Sequence, residues 1–122
     1  VENLTVVAVL ADDGTYDSHN LWASYEIDAF TFAAEYYKTD YTDVTKGDTE
    51  TYMALAYYAM GDAGLTLRYT TGEYAGKDFD KYTVSPSYAF SDSVFGLVEA
   101  SLEDIEGASD SVVLAAELIF SF

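Results

Sequence analysis

Cysteine is absent from this chain, and proline and histidine each occur once. Without thiols there is no disulfide framework, no thiolate nucleophile and no zinc site of the usual thiolate kind, although an oxidising compartment does not require disulfides. Basic residues are scarce: five Lys and Arg stand against 22 Asp and Glu, for a net charge of −17. Five cations cannot build a phosphate-binding stripe, and such a charge argues against nucleic acid and against direct attraction to an anionic lipid surface. Long apolar runs are missing too. The longest, such as residues 6–11, fall far short of the roughly 18 needed for a membrane helix. No basic, apolar, small-residue secretion signal opens the sequence. Val1 leads almost directly into a strand pattern, so the chain reads as processed or as cut from something longer. A length of 122 residues is one domain by size, residues 1–122.

What the chain has in abundance is aromatic side chains, 16% of the total, with 12 tyrosines among them. A phenol ring can bury its body and wet its hydroxyl, which suits strands that meet an interface. Apolar residues also alternate. Reading back from the end, Phe122, Phe120, Leu118, Ala116, Leu114 and Val112 share one face of a strand, while Glu117 and Ser121 look the other way. At about 3.3 Å per residue, residues 110–122 would reach roughly 40 Å, enough for a tilted crossing of a bilayer.

Seven further strand-like runs precede it, at 3–11, 21–27, 30–40, 51–60, 65–70, 81–90 and 94–103. Tight turns at Asp28–Ala29, at 61–64 and at 91–93 alternate with long polar stretches at 12–20, 41–50, 71–80 and 104–109. Most of the acids fall in or beside those polar stretches, which reads as charge gathering where water is. About eight antiparallel strands with all long loops on one side and all tight turns on the other predict an all-β, antiparallel up-and-down transmembrane β-barrel. A soluble β-sandwich binding module is the alternative, and a secreted β-rich fibre-forming protein a third. Pro86 in mid-strand, where proline ordinarily demands an edge or a bulge, and the first and fourth runs, apolar on both faces, suit a sandwich better than a barrel.

If the aromatic faces meet lipid, the ionisable residues of the opposite faces point into a lumen: Glu35, Arg68, Glu99 and Glu117 at comparable heights, Glu26 lower, Lys81 nearer the long loops. A charge on the lipid face near the midplane would cost about 2 to 4 kcal/mol for Arg or Lys. In an intact eight-stranded barrel these groups fill the interior as an ion-pair network with Arg68 paired to one or more glutamates; in a larger barrel they border water and set ion selectivity. Catalysis finds no support. His19 lies beside Asp17 and Ser18 in one polar stretch, whereas a triad converges from separate places, and there is neither a G-x-S-x-G elbow nor a glycine-rich phosphate loop. Asp40, Asp43, Asp48 and Glu50 are oxygen donors of the kind calcium takes, but their spacing does not match an EF-hand loop. No cofactor and no dedicated metal site is expected.

The closing strand, residues 112–122, resembles that of Gram-negative outer-membrane β-barrels. The units Trp22–Tyr36 and Tyr57–Tyr69, with Ser85–Phe95, are similar to the repeated strand-turn-strand units of general-diffusion porins. The resemblance implies an outer-membrane location and passive diffusion of small hydrophilic solutes, with a cation bias from the acids. It implies an assembly signal carried by Leu118, Phe120 and Phe122 and read by the barrel-assembly machinery. Contacts with outer-membrane lipid and lipopolysaccharide follow, and a homotrimer is possible. Porins of that kind have sixteen strands, so the chain is similar to a C-terminal half. The alternative under the same resemblance is a small closed barrel with a structural or adhesive role.

Overall fold

Alternation of period two governs nearly the whole chain, and the computed structural model, which describes residues 3–43, 47–74 and 76–122, is built of strands throughout. They are β1 (Leu4–Asp12), β2 (Tyr16–Ile27), β3 (Phe30–Tyr41), β4 (Thr49–Met60), β5 (Ala63–Tyr74), β6 (Lys77–Ser91), β7 (Val94–Ile105) and β8 (Ser111–Phe120). They form a single antiparallel sheet in sequence order, each strand paired with the next. The sheet is not closed: β1 pairs only with β2 and β8 only with β7. All eight expected strands are present, as one up-and-down sheet.

The expected long loops are mostly strand. The connections on that side shrink to residues 13–15, 42–48, 75–76 and 106–110, against 28–29, 61–62 and 92–93 on the other. The parts of the 41–50 and 71–80 stretches at residues 44–46 and 75 lie outside the described residues. Asp17, Asp40, Glu50, Asp80, Glu103 and Asp104 therefore stand on paired strands rather than in loops. The physical reason is that polarity marks where side chains meet water, while the backbone ladder continues wherever two strands still lie side by side.

The tight turns follow their residue types. Gly61 takes φ of 62° at the first central position of its two-residue turn, a left-handed conformation in which a side chain is disfavoured. Asp28 takes the corresponding place in the β2–β3 turn at φ 52°. Pro86 sits inside β6 with no bulge at its own position. The β6–β7 ladder lacks paired residues at Ser85 and Pro86, then resumes in the same register from Val84 with Ala100 to Ser87 with Leu97. The register shifts only further on, between Ala89 and Ser91. A missing N–H donor costs a gap in the ladder without displacing the strand.

Among the described residues no hydrophobic side chain is buried, and the four buried polar residues are Thr39, Thr83, Ser85 and Ser101. All four lie on one face. This face, which holds the buried side chains, is termed the inner face. The opposite, outer face carries Tyr25, Phe32, Leu67 and Phe120, between 38% and 58% exposed. The accessible surface is 8466 Å², whereas a folded monomer of 13.4 kDa typically exposes about 6,500 Å². The excess reflects a single layer of strands with no second layer against it.

Candidate functional site: the two faces of the sheet

The cross-strand register sorts side chains between the faces. In β3, Phe30, Phe32, Ala34 and Tyr36 point outward and Thr31, Ala33, Glu35 and Tyr37 inward; the partners in β4 are Tyr58, Ala56, Ala54 and Tyr52 outward and Tyr57, Leu55, Met53 and Thr51 inward. The outer face repeats one layout in β3, β4 and β6: an aromatic residue near the two-residue turn and another six positions along, as in Phe30 and Tyr36, Tyr58 and Tyr52, Tyr88 and Tyr82. Six residues span about 20 Å along a strand. Phe32 and the small or aliphatic residues Ala34, Ala54, Ala56 and Val84 lie within the interval.

Both aromatic rows are held by contacts. Near the two-residue turns, Phe30 stacks on Tyr58 at 4.6 Å and Tyr88 meets Phe90 edge-on at 5.1 Å. In the other row Tyr36 and Tyr52 lie 5.1 Å apart and Tyr69 and Tyr82 4.9 Å apart. The hydroxyls of three of these four tyrosines reach acids. Tyr36 and Tyr52 donate to Glu50 at 3.2 and 3.0 Å, and Tyr69 and Thr71 both donate to Asp80 at 2.7 Å. Lys38 pairs with Asp40 at 3.5 Å just beyond. Tyr36, Tyr52 and Tyr69 thus have their bodies on the apolar side and their polar tips in the charged rim.

The inner face holds the expected lumen residues, and one pair of them meets. Arg68 of β5 reaches across β6 and donates to Glu99 of β7 at 3.2 Å, with both side chains about one-third exposed, at 34% and 32%. Beneath that reach, Thr83 and Ser101 share a hydrogen bond at 3.0 Å. Arg68 thus pairs with one glutamate, and among the described residues Glu26, Glu35 and Glu117 join no ion pair. Glu35 stands opposite Trp22 and Met53, and Lys81 opposite Glu103 and Thr70. In the cross-strand register Arg68 shares its row with Leu55 and Thr83, and Glu117 faces Leu97. Leu118 and Phe120 lie on the outer face of β8, and Phe122 follows that strand, fully exposed.

Two glycines make room for aromatic rings, which residue spacing does not disclose. Tyr57 lies over Gly64 on the inner face, where an added Cβ would come within 2.6 Å of the ring and 2.9 Å of the Ser87 hydroxyl oxygen. Phe90 lies over Gly96 on the outer face, where a Cβ would come within 2.8 Å of the ring. A ring covering a glycine restores the packing that the missing side chain forfeits.

Residues considered for metal and catalysis do not assemble. Asp48 accepts the Tyr41 N–H at 3.0 Å, and Glu50 is engaged by two tyrosines. Among the described residues no three His, Cys, Asp or Glu side chains converge to hold a metal. His19 stands on the outer face opposite Leu10 and Lys38. No protein-family model matches the sequence, and no curated protein matches it.

Proposed function

We propose that the chain is a wall of a transmembrane β-barrel of the bacterial outer membrane, whose outer face meets lipid and whose inner face borders a path for small hydrophilic solutes. The observation that carries the reading is the outer face itself: an apolar band bounded by two aromatic rows, with no apolar core on the other side. Water penalises that surface at about 25 cal/mol per Å²; hydrocarbon does not. All eight strands reach at least nine residues, and a tilted crossing takes about 9 to 11. Hydrocarbon cannot satisfy the open edges of β1 and β8, so in a membrane they pair, with each other or with further strands that complete a larger porin-like ring.

The inner face supports passive diffusion with a cation bias. Glu99 pairs with Arg68, while Glu26, Glu35 and Glu117 have no ionic partner among the described residues. The test is the reversal potential across a planar bilayer under a salt gradient. Cation preference is expected, falling toward parity in Glu99→Gln, which leaves Arg68 uncompensated. Anion preference in the unaltered chain, or no conductance, removes the transport half of the proposal. Outer-membrane lipid, lipopolysaccharide at the acidic rim, the assembly machinery acting on Leu118, Phe120 and Phe122, and trimer formation belong to the same proposal.

A further inference from the structure

At the end of the inner face away from the two-residue turns, seven residues of four strands enclose a depression of about 290 Å³: Thr49 and Thr51 of β4, Tyr74 of β5, Lys77 and Phe79 of β6, and Glu103 and Ile105 of β7. We propose that this depression binds a neutral saccharide of one or two rings, as a capture site at the mouth of the solute path. The proposal rests on the inner face being wetted, and its test is independent of whether the face conducts.

The composition of the walls selects the ligand. Phe79, Ile105 and Tyr74 form an apolar bed, and Tyr74 is 64% exposed, with its ring open to a solute. Polar groups of every type needed by a polyol surround it. The Lys77 ammonium donates, the Glu103 carboxylate accepts, and the hydroxyls of Thr49 and Thr51 do both. Lys77 and Glu103 form no ion pair with each other, so both keep hydrogen-bonding capacity. The lining thus carries one charge of each sign.

A sugar ring has one face of C–H bonds and an edge of hydroxyls, the complement of an aromatic bed with a mixed donor and acceptor rim. A nucleotide shares the flat face but carries phosphate into a chain of charge −17. The volume lies at the small end of ligand pockets, which suits one or two rings and excludes a long oligosaccharide held at full length. The position matters as well. The row above Arg68 and Glu99 is the place where a solute would first meet the wall.

The full chain, refolded in detergent, is examined by saturation-transfer NMR with glucose, maltose and adenosine. Transfer to the ring C–H protons of maltose is expected, with affinity reduced tenfold or more in Phe79→Ala and several-fold in Glu103→Gln, and unchanged in the outer-face control Phe32→Ala. Tyr74→Ala, at an exposed position, repeats the test should Phe79→Ala fail to give the strand circular-dichroism spectrum. No transfer to either sugar, transfer undiminished in both Tyr74→Ala and Glu103→Gln, or preference for adenosine overturns the assignment. A chain that conducts but binds no sugar keeps the channel and loses this site; one that binds sugar and conducts nothing does the reverse.

Discussion

Individual residues act here through position on a face. Asp13, in the connection between β1 and β2, shows how a single carboxylate shapes a turn: it accepts from the Thr15 N–H at 2.9 Å, the Thr15 hydroxyl at 2.6 Å and the Tyr16 N–H at 3.1 Å. The Thr15 hydroxyl is the largest cause holding its pKa below the ordinary 3.8, followed by the Thr15 N–H. A folded-state pKa below the unfolded one contributes stability above the unfolded value, lost as pH falls through the folded value. Asp13→Asn should therefore lower stability at neutral pH, with the two unfolding curves converging as the medium is acidified below pH 3.8. Parallel curves down to the lowest pH would show that the turn does not depend on that charge. Arg68 and Glu99 act differently. One-third exposed, their pair is worth roughly 0.2 to 1 kcal/mol, so its consequence lies in the charge it cancels more than in the stability it adds.

Strands are the scale at which sidedness becomes energy. Leu67 and Thr66 are neighbours on β5 that face opposite ways, the first beside Ala56 and Val84 and the second beside Tyr57 and Ser85. Leu67→Arg should cost about 2 to 4 kcal/mol of folding stability in a bilayer, and Thr66→Arg much less, as measured by urea titration in lipid vesicles. Equal costs would contradict the assignment of the two faces. The β4–β5 hairpin allows a second measurement. Gly64→Ala forces a Cβ into the Tyr57 ring and should cost about 1 to 3 kcal/mol. In the Tyr57→Ala background the added penalty should largely vanish, a coupling that a double-mutant cycle reads directly. Additive effects would mean that the ring does not depend on the glycine beneath it.

For the whole molecule, the decisive quantity is the apolar surface that one layer of strands leaves uncovered. Such a chain should aggregate or remain unfolded in plain buffer, fold in detergent micelles or lipid vesicles, and migrate on unheated gels at a position that boiling changes. A cooperative, monomeric folded state in buffer alone would restore the sandwich reading. The exposed edges reinforce the expectation. Neither β1 nor β8 carries a lysine, a proline or a bulge, the devices that keep sheet edges from pairing.

The sequence by itself determined the strands and their two faces, because a period of two is a local property of backbone geometry that side-chain polarity records residue by residue. On that ground alone Leu118 and Phe120 fall on one side of the closing strand and Glu117 on the other. Polarity did not reveal where strands end. Residues 16–20 and 77–80 read as loop and are strand, since polar side chains in water leave backbone pairing intact. The tertiary structure alone decided what depends on register across several strands. Arg68 meets Glu99 by reaching over β6, Glu35 is left beside Trp22 and Met53, and seven residues separated by up to 56 positions line one depression. Such neighbours are fixed by the sum of many pairing registers, a non-local quantity that no short stretch of sequence contains.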